Sequence, residues 1–176
     1  MRECGWCGRN IVNKNRHARY CSSKCRVYAH RSPVPAELIQ RDRWVRYATN
    51  KRPLTTMGQA ASSTNPSTWA SYADAKASTA GVGLGFVLGD GIGCIDLDNC
   101  ITDGEITPEA ANFISDYPQH HIEISPSGNG LHIWGTADEA AGSVKTIDGV
   151  SVERYSQGRY ITVTGNIYQR GRLLPL

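Results

Sequence analysis

Two kinds of segment are missing from this 176-residue sequence. No apolar run approaches the roughly 20 residues that a bilayer-spanning helix needs. The opening MRECGWCGRN also lacks the apolar core of a secretory signal. Together these absences predict an intracellular protein with no membrane partner. Acidic residues are scarce at one end. Residues 1–52 contain only Glu3, Glu37 and Asp42 against 13 Lys and Arg, a balance of +10 (13 − 3). The remaining residues carry 6 basic and 13 acidic side chains, or −7, so the overall +3 hides a strong asymmetry. A basic end on an acidic body points to a polyanion such as nucleic acid, although a solvated basic face would have the same composition. No internal repeat is visible. A composition 40% hydrophobic and 20% charged suits one ordinary domain with a small appendage.

Six cysteines in an intracellular chain are not expected to form a disulfide framework. Four of them, Cys4, Cys7, Cys21 and Cys25, follow the spacing C-x2-C-x13-C-x3-C. This segment has too few apolar residues for its own core. A structural zinc ion, worth roughly 10 kcal/mol or more in small peptides, would supply the missing folding free energy. Gly5 and Gly8 suit a tight turn around the first pair. Ser22 or Ser23 is positioned to cap a helix running through Cys25 into RVYAHR. His17 and His30 are the less favoured ligands, because four thiolates already complete a tetrahedron. Cys94 and Cys100 lie elsewhere and read as buried free thiols.

The division that follows is a zinc knuckle over residues 1–31, a linker over 32–39 containing SPVP, and a larger domain over 40–176. In the larger domain, AELIQRD is a short helical run, RWVRYAT a strand, and residues 50–68 a polar loop. STWASYADAKAS reads as a helix with Trp69, Tyr72 and Ala73 on one stripe. VGLGFVLG and GIGCIDLDN, separated by Gly-Asp-Gly, read as a hairpin. TPEAANFISDY has Thr107 as N-cap and Pro108 at the first helical position. HHIEIS, LHIWG, VSVERY and RYITVTG are further strands. The sum is an α+β fold with an antiparallel or mixed sheet and helices on one side.

Within GCIDLDNC, a strand would send Asp96 and Asp98 to one face and Ile95 and Leu97 to the other. Two adjacent carboxylates repel, and a divalent cation with a taste for oxygen, magnesium or manganese, is the usual remedy. A strand end turning into a cap would also present Asp-x-Asp. SPSGNGLHIW places Ser127, Gly128 and Gly130 before His132, so backbone N–H groups and an imidazole are available to phosphate oxygens. A plain hairpin loop followed by a core histidine fits the same letters. VSVERY offers Glu153 as a charge within an apolar strand, and GRYITVTG offers Arg159 as a clamp for a triphosphate.

Asp-x-Asp on a strand, then Ser-Gly-x-Gly-x-His, then an acid on a later strand, in that order, resembles the three motifs of the archaeo-eukaryotic primase superfamily. The likeness is greatest to the bifunctional primase–polymerase domain of phage and plasmid replication proteins. NKRPLTTMGQAASSTNPSTWASYADA is similar to the opening segment of phage members, and RYITVTG to their closing strand. The resemblance covers about residues 40–168. It implies an RRM-like catalytic domain and template-directed nucleotidyl transfer, as DNA primase and/or DNA polymerase, by a two-metal mechanism. It implies Asp96, Asp98 and Glu153 as ligands of magnesium or manganese; many relatives have Asp where Glu153 stands. It implies His132 and Ser127 at the phosphates of the incoming nucleotide and Arg159 nearby. The partners implied are a single-stranded DNA template, nucleoside triphosphates and a replicative helicase, in the cytoplasm of a bacterial host. RYCSSKCRVYAHR is similar to small actinobacterial and phage zinc knuckles, and primases often carry a zinc element that engages template. Three other readings compete: a nucleic-acid-binding module without catalysis, a metal-dependent endonuclease of the replication-initiator type, and a structural protein, which would leave the glycine loop and His132 unexplained. The second would want paired histidines, but His120 and His121 are adjacent and face opposite ways on a strand.

Overall fold

The computed structural model describes residues 2–7 and 9–176, leaving out the side chain of His30. The expected role of Gly8 therefore lies outside the described residues. The chain is α+β, built on two large sheets and a short two-stranded one. Its elements run α1 (Ser23–Arg31), α2 (Ala36–Ile39), β1 (Trp44–Tyr47), β2 (Pro53–Leu54), α3 (Tyr72–Ala77), β3 (Gly83–Val87) and β4 (Ile92–Asp98). They continue through β5 (Ile101–Thr102), β6 (Glu105–Ile106), α4 (Pro108–Ile114), β7 (His121–Ile124), β8 (Leu131–Thr136) and β9 (Ser143–Ile147). The last are β10 (Val150–Tyr155), β11 (Tyr160–Val163), β12 (Ile167–Gln169) and β13 (Leu174–Pro175).

The larger sheet has the order β12-β7-β8-β4-β10-β9, with β13 added in parallel to β8. The smaller has the order β11-β3-β1-β2 and is antiparallel throughout. Period-two alternation gives β4 two distinct faces. Ile95 and Leu97 join Ile122, Leu131, Ile133 and Val152 in a core that also takes Ala110 and Ile114 of α4. Cys94 and Ile92, on the other face, pack with Trp134, Phe86 and Trp44. The smaller sheet contributes Trp44, Phe86 and Ile161 to that second core, so it covers part of the larger sheet.

Local signals set the helix starts. The Ser22 side chain accepts from Cys25 N, the Thr107 side chain from Ala110 N, and the Ser71 side chain from Asp74 N. Two expectations need correction. The helix at α3 starts after Trp69 and buries Ala75, while Ala73 is exposed. Trp69 instead lies under the Arg43 guanidinium, 4.4 Å from its ring centre. The second is the hairpin: β3 and β4 do not pair. The turn exists, with Asp90 and Gly91 at positive φ, but it carries the chain from the small sheet into the large one. A tight turn fixes a reversal of direction, whereas the strand's partners are set by distant residues. The loop over 50–68 also contains β2 and a 3₁₀ turn at Pro66–Thr68. Val34 and Leu38, in the segment read as linker, are buried in the body core.

Candidate active site

On the second face of the larger sheet, the end of β4 meets residues of β2 and β11 around a shared cleft. Antiparallel register lines up one residue from each of four strands: Glu153 on β10 opposite Asp96 on β4, Asp96 opposite His132 on β8, and His132 opposite Glu123 on β7. Residues directly opposite in register point to the same face. A row Glu153–Asp96–His132–Glu123 therefore crosses the sheet, with Asp98 two residues further along β4. His132 Nε2 lies 3.7 Å from Asp96 Oδ1.

A cleft of about 420 Å³ opens over this row. Among the residues lining it are Asp96, Asp98, Ser127, His132 and Arg159, five of the positions expected from sequence. Glu153 stands beside Asp96 on the next strand but is not among the lining residues. Tyr155 donates to its Oε2 at 2.6 Å. The Arg159 guanidinium stacks on the Tyr155 ring at 4.0 Å from its centre.

Gly128 and Gly130 shape the turn before β8. Gly128 has φ +82°, where a side chain would be strained, and a Cβ on Gly130 would come within 2.7 Å of Leu97 O. The turn is thereby pressed against β4. Asn129 ties it down, accepting at its carbonyl from Cys100 N and Ile101 N and donating from its side chain to Asn99. Ser127 donates to Asn129 Oδ1 and lies 2.9 Å from the Ser125 hydroxyl.

Burial raises the Asp96 pKa; His132 opposes the rise, Asp98 and Glu153 add to it, and Lys51 opposes it. Asp96, Asp98 and Glu153 thus share one face of the sheet, but their oxygens are not drawn together into a cluster as the knuckle's sulfurs are.

Two residues of the site were not anticipated. Lys51 lines the cleft with a positive φ of 61°, and its carbonyl accepts a bond from the Tyr160 hydroxyl. Glu123 is 1% exposed. It accepts from Trp134 Nε1 at 3.1 Å, Thr164 N at 3.2 Å and Gly165 N at 3.0 Å, with His132 Nδ1 at 3.5 Å. Through that last contact Glu123 faces Nδ1 of the His132 ring and orients it. Its signal in the sequence was the same as that of Glu153, an acid inside an apolar strand. His120 and His121 do not form a ligand pair: His120 Nε2 donates to Pro175 O, and His121 is buried elsewhere.

In the knuckle, the sulfurs of Cys4, Cys7, Cys21 and Cys25 all lie within 4.8 Å of one another. Among the described residues this is the one such set of three or more His, Cys, Asp or Glu donors. The Cys7–Cys21 and Cys21–Cys25 separations are 3.6 and 3.4 Å. Tetrahedral zinc with bonds of ~2.3 Å holds its sulfurs about 3.8 Å apart, so the set fits zinc. Burial raises the Cys4 pKa, but backbone N–H groups of Cys7, Cys21 and Trp6 outweigh it and bring it down to about 6. The Arg9 backbone N–H lowers Cys7, but burial and the three neighbouring sulfurs win and push it up to about 12. Cys94 and Cys100 are buried free thiols.

No protein-family model matches the chain. It is 36% identical over 120 residues to a DNA primase-polymerase of Nitratiruptor phage NrS-1, a match covering 63% of this chain. The chain spans 17% of that protein's length. The identity supports a primase–polymerase relationship. Among the described residues, no helix is long and apolar enough to cross a membrane.

Proposed function

We propose that the chain carries out template-directed nucleotidyl transfer, as a DNA primase and/or DNA polymerase of phage or plasmid replication, by a two-metal mechanism. The observation that carries the reading is the row Glu153–Asp96–His132–Glu123 opening on a cleft that Lys51 and Arg159 also line. Similarity to a phage primase–polymerase supports it. In this reading residues 40–176 are the RRM-like catalytic domain and residues 1–31 the zinc knuckle, joined through 32–39.

Asp96, Asp98 and Glu153 hold magnesium or manganese. When bound, the two cations supply charge neutralisation for the phosphates and lower the pKa of the attacking hydroxyl. The chain's own work is positioning, which dominates phosphoryl-transfer catalysis. His132, the Ser127 hydroxyl and the backbone N–H groups of the Gly128–Gly130 turn bind the triphosphate. Arg159 and Lys51 approach it from the opposite wall. Glu123 fixes the ring of His132. Cys4, Cys7, Cys21 and Cys25 hold a structural zinc, and the basic first third engages single-stranded DNA. A replicative helicase in the host cytoplasm is the further partner.

The test is incorporation on a single-stranded template with magnesium or manganese and each class of nucleotide. Wild-type protein extends or initiates chains. Asp96→Ala and Asp98→Ala abolish synthesis while keeping the fold. Near-normal incorporation by either variant refutes the site assignment, and no incorporation by wild type under any of these conditions refutes the activity.

A further inference from the structure

A second cavity, of about 270 Å³, lies at the seam where the knuckle meets the body. It is separate from the carboxylate cleft and shares no lining residue with it. Arg19 comes to it from the knuckle, and Arg170 and Arg172 come from the loop between β12 and β13. Glu37 is the one carboxylate among its lining residues. Among the described residues none of the three arginines makes an ion pair.

The two body arginines are firmly mounted. Arg172 N donates to Gln119 O, and His121 N donates back to Arg172 O. Between the arginines, a Cβ on Gly171 would come within 2.2 Å of His120 O, so only glycine lets this loop lie flat on the start of β7. Arg170 Nη1 donates to Ser32 O and Arg172 Nη2 to Gln119 Oε1, which leaves most of each guanidinium's five donors unassigned. His121, 3% exposed, also lines the cavity, and its Nε2 has no hydrogen-bond partner among the described residues.

We propose that this seam is a phosphate-binding site for the backbone of single-stranded nucleic acid, bridging knuckle and body. Three guanidiniums against one carboxylate select an anion. The arginines are exposed rather than enclosed, which suits a polyanion held at several points with counterion release better than a lone ion. Arg19 also lines the neighbouring groove on the knuckle with Lys14 and Arg26, so the seam continues a basic track. The +10 balance of residues 1–52 has the same sign. The strand chemistry rests on the nucleic-acid part of the proposed function, but the site does not depend on catalysis.

The experiment is fluorescence anisotropy of a labelled single-stranded oligonucleotide with the full chain, without nucleotide or divalent cation, over a range of salt. The variants are Arg170→Gln/Arg172→Gln, Arg19→Gln, their combination, and Arg170→Lys/Arg172→Lys. The Gln pair weakens binding several-fold and reduces the magnitude of the log–log salt slope by about 0.7 for each phosphate that is no longer neutralised. The Lys pair keeps the slope. Arg19→Gln costs less in the background of the Gln pair than alone, because the arginines share a phosphate. An unchanged slope in a Gln pair that melts like wild type overturns the proposal, and so does full additivity with Arg19→Gln. Should the Gln pair unfold, Arg172→Gln alone gives the same reading. Inorganic phosphate that shifts the His121 ring signals while oligonucleotide binding is unaffected by the substitutions also overturns it, in favour of a small-anion site. Because no turnover is measured, a chain that lacks polymerase activity can still pass or fail.

Discussion

Glu123 offers the sharpest test of how the site is built, because its surroundings set the size of the effect. Glu123→Ala removes the acceptor for Trp134 Nε1, Thr164 N and Gly165 N. The Thr164 hydroxyl keeps a partner, since its proton goes to Ile124 O at 2.7 Å rather than to Glu123 at 3.3 Å. Trp134 is 0% exposed and His132 3%, so water cannot replace the acceptor without a rearrangement. At about 1–3 kcal/mol for each orphaned donor, with some relaxation, the loss is about 3–5 kcal/mol. For a chain of this length that lowers the melting temperature by on the order of 10 °C.

Glu123→Gln keeps the shape but replaces one oxygen with a donor. If its oxygen serves Thr164 and Gly165, its amide N–H meets Trp134 Nε1 and His132 Nδ1, and a neutral imidazole there must carry its proton on Nε2. The stability cost is then one mismatched donor, about 1–3 kcal/mol. Incorporation falls by about tenfold or more, because the ring no longer shows the same nitrogen to the cleft. Thermal denaturation followed by tryptophan fluorescence gives the first number, and ¹⁵N shifts of the imidazole report the tautomer independently of activity. An alanine variant within about 1 kcal/mol of wild type would refute the reasoning, since one buried and two partly buried donors would then have cost nothing.

Asp96→Asn should raise the melting temperature at pH 7 in the absence of added divalent cation while abolishing incorporation. Burial lifts the folded pKa of Asp96, so the fold is favoured while the carboxyl is protonated and loses stability as pH rises through that raised value. The gain vanishes in acid, where wild type is protonated too; a variant that melts lower at every pH contradicts this. Lys51→Met should weaken nucleotide binding and lift the Asp96 pKa further, moving the rising limb of the pH–rate profile to higher pH. An unmoved limb would remove Lys51 from the electrostatics of the site. Elemental analysis should find about one zinc per chain, absent in Cys21→Ser. Protein purified without chelator that contains none would refute the knuckle reading.

The sequence was most legible where one strand sufficed. Period two put Asp96 and Asp98 on one face and Ile95 and Leu97 on the other, and the described β4 keeps that division. Thr107, Pro108 and Ser22 marked helix starts because capping joins near neighbours. What could not be read was which strand lies beside which. The Gly-Asp-Gly turn looked like a hairpin because its local geometry says nothing of the partners of β3, which are β1 and β11. Glu123 was visible as an acid in an apolar strand. Its meaning depends on a register with His132 that no short window contains.

Lys51 shows the same limit from the other side, because its position depends on residues far apart in sequence. Gly85 lies in β3, where a Cβ would come within 2.5 Å of the Tyr160 ring. With no Cβ there, Tyr160 can lie across the strand and give its hydroxyl to the Lys51 carbonyl, 109 residues away. That bond holds a left-handed lysine, a conformation costly for a residue with a side chain, at the wall of the cleft. A glycine in one sheet thus helps set a positive charge over the carboxylates of the other. The cleft is accordingly a property of the two sheets together, which explains why the motifs on β4 and β8 could name one part of its wall and not the rest.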